Sequence, residues 1–335
     1  MSVNVGVIGT GNMGAHHALT LHSYVNGARV TMLYDADAQR AEDLCEHIPG
    51  AKVASSALQV VDDPGTDALV IASPDATHAP LVLAALRVGK PVLCEKPLAP
   101  TTAECAAVVQ AERQAVGEAG APLVSMGFMR RFDPGYAEIK ASLDARALGL
   151  PLLVHCASRG VSSGPGTTTE SAIVGSAVHE LDLIPWLLGE PIVAVGWHRA
   201  RSAGQVDGFQ DPQLFVLRSR SDVVTTVELF LNARYGYDIR CEVVCEGGTL
   251  SLGHPRATVT NAEQMHYLLH PLDWRPRFAD AYRLELQEWV TSIALDRPGT
   301  LAGAADATRA AEVADAIIAS IGTDGRETAV EYQAL

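Results

Sequence analysis

The chain has 335 residues, 48% hydrophobic and 19% charged, with a net charge of -14 and an isoelectric point near 5.2. That length suits two domains better than one core, and the acidity argues against nucleic acid as a partner. No apolar run approaches the roughly 18 to 20 residues that cross a bilayer. The start of the chain, Met1-Ser2-Val3-Asn4, places no basic segment before its apolar run, so a cytoplasmic protein off the membrane is expected. Six scattered cysteines without CxxC spacing fit reduced thiols. Cys241 and Cys245, four apart in a strand-like run, read as small buried hydrophobes, and no metal site is assigned.

Along the first 126 residues, short β-rich runs at 4–8, 29–34, 52–54, 68–72, 91–94 and 123–126 alternate with helical patterns at 15–22, 38–47, 78–87 and 102–117. This alternation predicts right-handed βαβ units in a doubly wound parallel sheet, a Rossmann domain over residues 1–126. From 127 to 335 the pattern changes. Helices at 134–143 and 178–188 flank alternating strands at 152–158, 191–199, 214–218, 223–229, 237–245 and 248–252. Strands that follow one another without helices predict a large, open, mainly antiparallel sheet, so the second domain is α/β and is expected to carry substrate binding and oligomerisation. Gly160 to Thr169 is the most loop-like stretch and is expected to form a mobile rim of the site. Helical segments at 279–294 and 302–320 are expected to pack across the domain junction.

Gly9-Thr10-Gly11-Asn12-Met13-Gly14 follows the first strand and opens a helix, and Asp35 ends the second strand. In this context the glycine pattern is a dinucleotide fingerprint. Gly9 permits the tight turn, Gly11 lets the backbone approach a pyrophosphate, and Gly14 lets the helix pack on the sheet; Asn12 and Met13 lie at the helix N-terminus that faces the phosphates. Asp35 is placed to accept hydrogen bonds from the adenosine ribose and to repel a 2′-phosphate, which favours NAD; Arg40 nearby is the residue that could accommodate NADP. Ser73, Pro74 and His78, after the fourth strand, and Glu95, after the fifth, are expected to complete the cofactor crevice, although His78 also reads as a helix N-terminal residue without a catalytic task.

Lys96 follows a central strand at the sheet edge where ligands bind. There its ammonium can bind a substrate hydroxyl and hold the oxyanion that develops as hydride leaves. His179 lies in Ala177-Val178-His179-Glu180-Leu181-Asp182, with Asp182 one helical turn on, and is the candidate general base because an imidazole suits proton abstraction near neutrality.

Together, the glycine loop, Glu95-Lys96-Pro97, Gly127-Phe128-Met129-Arg130-Arg131-Phe132-Asp133, the His179 helix and Asn232-Ala233-Arg234-Tyr235-Gly236-Tyr237-Asp238 resemble the Gfo/Idh/MocA oxidoreductase superfamily, and within it the bacterial inositol 2-dehydrogenases. The resemblance spans the chain. It implies NAD-linked oxidation of a ring hydroxyl of a small polyol, with Lys96 and His179 catalytic and Met129, Arg130 and Tyr235 lining the cyclitol pocket, and commonly a homotetramer.

The chain departs from the family pattern at two places. Gly175 stands where an aspartate usually precedes the histidine by four residues, and Ser158-Arg159-Gly160 replaces a His-Arg-Asn stretch. Glycine offers no acceptor and loosens a helix by roughly 1 kcal/mol relative to alanine. The expected substrate is therefore myo-inositol or a modified cyclitol such as an amino- or deoxy-inositol. The alternatives are a keto-sugar reductase or sugar dehydrogenase using the same residues, and a catalytically impaired paralogue that binds NAD and a polyol.

Overall fold

A computed structural model describes residues 2–117, 120–202, 208–253 and 258–334. They form two compact units, one of residues 2–132, 280–309 and 333–334, the other of the described residues within 133–279 and 310–332. The first unit thus runs six residues beyond the boundary at 126/127 and takes a segment from the far end of the chain.

Its sheet is built from β1 (Val3–Ile8), β2 (Ala28–Tyr34), β3 (Lys52–Val53), β4 (Ala68–Ile71), β5 (Val92–Cys94) and β6 (Val124–Met126). The order β3-β2-β1-β4-β5-β6 is parallel throughout and is the doubly wound arrangement, with its switch point between β1 and β4. The connecting helices are α1 (Asn12–Tyr24), α2 (Ala38–Glu46), α3 (Ala57–Asp62), α4 (His78–Arg87) and α5 (Thr102–Val116). Every residue of β4 and β5 is buried, as covering helices on both faces require. Thr101 and Glu104 form a reciprocal capping box that fixes the start of α5.

The second unit holds α6 (Pro134–Asp144), β7 (Pro151–Arg159), α7 (Thr169–Ala172), a π turn at Ile173–Ala177 and α8 (Val178–Leu188). These are followed by β8 (Ile192–Arg199), β9 (Gln213–Ser219), β10 (Val224–Phe230), β11 (Asp238–Cys245) and β12 (Gly248–Ser251). A hairpin of β13 (Val259–Ala262) and β14 (Met265–Leu268) and the short α9 (Trp274–Arg277) come next. α10 (Ala279–Ala294) leads back through the first unit, α11 (Ala304–Ser320) carries residues of both, and β15 (Thr328–Ala329) rejoins the second sheet.

That sheet has the order β12-β11-β7-β10-β9-β8-β15. Its neighbours are antiparallel except β7 and β10, which run parallel at the centre, so the sheet is mixed. The parallel pair arises because α8, β8 and β9 intervene in sequence between the two strands. β9 and β10 alternate buried and half-buried positions, with Phe215, Leu217, Val227 and Leu229 on the sealed face. Cys241 and Cys245 are buried thiols on β11, and all six cysteines are free.

In the first unit, Val5, Val7, Leu33, Val70 and Leu93 meet Ala18 and Leu21 of α1. Leu286, Trp289 and Val290 of α10 complete that core, and Trp289 is among the largest fully buried side chains. No helix among the described residues is long and apolar enough to cross a membrane.

Candidate active site

Within the first unit, the segments after β1, β2, β4 and β5 meet at the C-terminal edge of the parallel sheet. The Gly9 amide donates to Tyr34 O at 2.7 Å, the Ala72 amide to Ile8 O at 2.8 Å and the Glu95 amide to Ile71 O at 2.8 Å. Gly9 has φ +89°, and a β-carbon there would lie 2.6 Å from the Ala72 backbone. One on Gly14 would lie 1.7 Å from Gly9 O. One on Gly11 would meet nothing within 4 Å. Two glycines are therefore demanded by the fold, and the third leaves open space over the loop.

Gly11 is also the N-cap of α1 and supplies no side-chain acceptor; Asn12 is exposed and Met13 half-buried. The first amides of a helix have no intrahelical partner, and with the helix dipole they favour phosphate. Asp35 accepts from the Thr10 amide at 2.7 Å and from the Asp37 amide at 2.9 Å. Burial opposes its charge, but these amides, the Thr10 hydroxyl and Arg40 together hold its carboxyl below the usual range. An ionised carboxylate still has free lone pairs for ribose hydroxyls. Arg40 itself pairs with Asp37 at 3.4 Å. The loop, the helix start and the ionised Asp35 fit a dinucleotide without a 2′-phosphate.

Ser73 bonds Thr77 at 2.6 Å and Pro74 is exposed on the same turn. His78 opens α4, in line with its reading as a helix N-terminal residue. It is 1% exposed, and its two ring nitrogens lie 2.7 Å from the carbonyls of Ser73 and Pro97, so the ring ties two loops together. The Glu95 carboxylate is buried and accepts from His17 Nε2 on α1 at 2.7 Å and from the Lys96 amide at 3.3 Å. Burial alone would raise its pKa; the His17 hydrogen bond and the charges of His17 and Lys96 bring it below the usual value. Lys96, next along, is half-buried at the sheet edge. Met129 and Arg130 belong to a 3-10 turn at Met129–Phe132 and are 1% and 2% exposed.

In the second unit, Thr168 caps α7 by accepting from the Ser171 amide, and the chain passes through the π turn before α8. The wider turn resets the helical register just ahead of His179, a device frequent at functional sites. Gly175 lies inside it, and a β-carbon there would meet nothing within 4 Å. His179 is half-buried on the first turn of α8, while Glu180 and Asp182 are buried. Gly189, at φ +70°, ends the helix in the left-handed conformation that suits glycine.

Tyr235 is half-exposed and donates to Asp238 at 2.5 Å. Arg159 grips Glu228 through two bonds of 2.7 Å and reaches Tyr235 at 3.1 Å and Asp238 at 3.3 Å. The Glu228 hydrogen bonds outweigh burial and raise the Arg159 pKa, keeping the guanidinium charged. Arg159, the position that Ser158-Arg159-Gly160 shares with the family's His-Arg-Asn stretch, therefore fixes the Tyr235 hydroxyl.

Three residues escaped sequence reasoning: Thr10, which orients Asp35; His17, which holds Glu95; and Gly127, whose β-carbon would lie 3.2 Å from the Glu95 carboxyl. His17 follows the glycine loop by three residues, and Gly127 opens a motif already noted, but their common partner is visible only in three dimensions. Among the described residues no group of three or more His, Cys, Asp or Glu side chains could hold a metal ion.

A doubly wound sheet carrying this loop, an ionised carboxylate after β2 and a lysine after β5 defines a nicotinamide-dependent oxidoreductase. Residues 3–117 match the family model described as oxidoreductase family, NAD-binding Rossmann fold, and residues 136–251 match the GFO/IDH/MocA C-terminal domain. The chain is 47% identical to Inositol 2-dehydrogenase 2 of Paenarthrobacter aurescens over 99% of its own length and 100% of that protein's. It is 44% identical to Inositol 2-dehydrogenase 2 of Saccharopolyspora erythraea over 96% and 94% of the two lengths. The crystal structure of myo-inositol dehydrogenase from Lactobacillus casei in complex with NAD(H) and myo-inositol superposes with a TM-score of 0.92 at 30% identity, covering 100% of this chain and 98% of that one. The chain belongs to the Gfo/Idh/MocA oxidoreductase family and is an NAD-dependent dehydrogenase.

Proposed function

We propose that this protein oxidises a ring hydroxyl of myo-inositol or a related cyclitol to the ketone. The observation that carries the reading is Lys96 on the same sheet edge as the glycine loop and Asp35, which brings a cation next to the place where a nicotinamide belongs. Bound there, NAD supplies the hydride acceptor. Lys96 donates a hydrogen bond to the reacting hydroxyl oxygen and stabilises its developing charge, and a ring nitrogen of His179 takes the hydroxyl proton. Tyr235, held by Arg159 and Asp238, offers the substrate a fixed hydroxyl. Met129 and Arg130 shape the pocket wall, and Ser73 and Pro74 border the cofactor. Gly175 offers no side-chain acceptor for a substrate hydroxyl, so amino- and deoxy-inositols belong in the substrate class beside myo-inositol.

The working form in this reading is a cytoplasmic homotetramer. Free, scattered cysteines support the compartment, and the family resemblance supports the assembly. Lys96→Ala tests the chemistry: turnover is lost while NADH affinity stays within about threefold of wild type. His179→Ala behaves likewise. Retained turnover in Lys96→Ala would remove the lysine from the mechanism.

A further inference from the structure

We propose that His17 and Glu95 form a positioning pair that locks Lys96 to the helix carrying the glycine loop. His17 is fully buried, three residues beyond Gly14 on α1, and its Nε2 lies 2.7 Å from the Glu95 carboxylate. An ionised carboxylate can only accept, so Nε2 carries the hydrogen. The other carboxylate oxygen takes the Lys96 amide at 3.3 Å. Gly127 leaves the niche open, since a β-carbon there would crowd the carboxylate at 3.2 Å. Tyr282 on α10 lies edge-on to both His17 and His16, at 5.7 and 5.1 Å, and walls the imidazole from the other side.

The arrangement puts a buried anion one residue before the lysine and ties it to the helix that begins at the pyrophosphate loop. A buried carboxylate is tolerated only while its partners satisfy it. The titratable groups that bear on it are His17 from α1, Lys96 beside it and the buried thiol of Cys94. Removing the His17 donor leaves burial to dominate, and Glu95 then binds a proton at a higher pH than in the wild type. Wild-type Glu95 is held charged below the usual carboxylate range, whereas without His17 its charge and its grip on the Lys96 segment are lost at a higher pH on acidification.

This inference rests on Lys96 acting on substrate, and three variants separate the two claims. In His17→Leu, kcat falls by about tenfold or more with NADH affinity within about threefold, and the pH profile gains an acid-side loss. His17→Gln, which restores an N–H donor, recovers much of the rate. Glu95→Gln loses rate at every pH without the new acid limb. Amide exchange of the peptide spanning 94–98, read by mass spectrometry, rises in His17→Leu and returns in His17→Gln, whether or not any substrate turns over. If wild type turns over no cyclitol, the substrate reading fails and the exchange pattern alone decides the positioning claim. Unchanged exchange at 94–98 in a folded His17→Leu, or a loss of NADH affinity in step with kcat, would overturn it.

Discussion

Gly11 and Gly14 sit three residues apart in one loop, yet the structure assigns them opposite sensitivities. Gly11 has φ -66° and ψ -164°, a conformation alanine adopts without strain, and its β-carbon would meet nothing within 4 Å. Gly11→Ala should therefore fold normally, with stability unchanged or raised by about 0.4 to 1 kcal/mol through a less flexible unfolded chain. The added methyl occupies the space a pyrophosphate needs, so NADH affinity should fall by tenfold or more, about 1.4 kcal/mol. Gly14→Ala is the converse. A β-carbon 1.7 Å from Gly9 O cannot be accommodated without moving the loop backbone or α1. Overpacking of this kind costs about 1 to 3 kcal/mol or more, so this variant should lose both stability and affinity. Urea denaturation and NADH fluorescence titration on the two variants give both quantities. Wild-type NADH affinity in Gly11→Ala, or wild-type stability in Gly14→Ala, would refute the reasoning.

Other expectations follow from single sites. Asp35→Asn keeps an acceptor but loses the charge, and should lower the preference for NAD over NADP by about tenfold in steady-state assays; an unchanged ratio would free Asp35 of that role. Gly175→Asp has room for its side chain, so it should fold and raise kcat/KM for myo-inositol by about tenfold; a fall would show the open space is used by the substrate. Glu112 accepts from the amides of Leu123 and Val124 but is buried, and burial raises its pKa. The stability tied to its protonated form is present at low pH and is lost as pH rises through the raised value. Glu112→Gln should thus raise Tm by about 2 °C at neutral pH and by less in acid. A uniform change across pH would contradict that.

The Rossmann half was legible because its constraints are local. β1, the glycine loop and Asp35 are separated by one helix, and each glycine answers to backbone geometry that sequence can express. The return of α10 was not legible in the same way. Leu286, Trp289 and Val290 form an ordinary apolar stripe, and nothing local says that it completes a core begun at Val3. The parallel pairing of β7 with β10 was hidden for a similar reason, since strand order depends on partners more than sixty residues apart. The π turn escaped because Gly175 weakens the helical signal where the chain changes register. At the site, Lys96 and His179 stood out by residue type and context. For Glu95 and His78, sequence shows a polar residue near a ligand edge but not which buried group already holds it: His17 for Glu95, the carbonyls of Ser73 and Pro97 for His78.

The central claim is best tested by following NADH formation by wild-type protein with NAD and, in turn, myo-inositol, scyllo-inositol, an aminoinositol and glucose. The account predicts stereoselective oxidation of at least one cyclitol in preference to glucose. Oxidation of glucose alone, or of none of the four by protein that binds NADH, would contradict it.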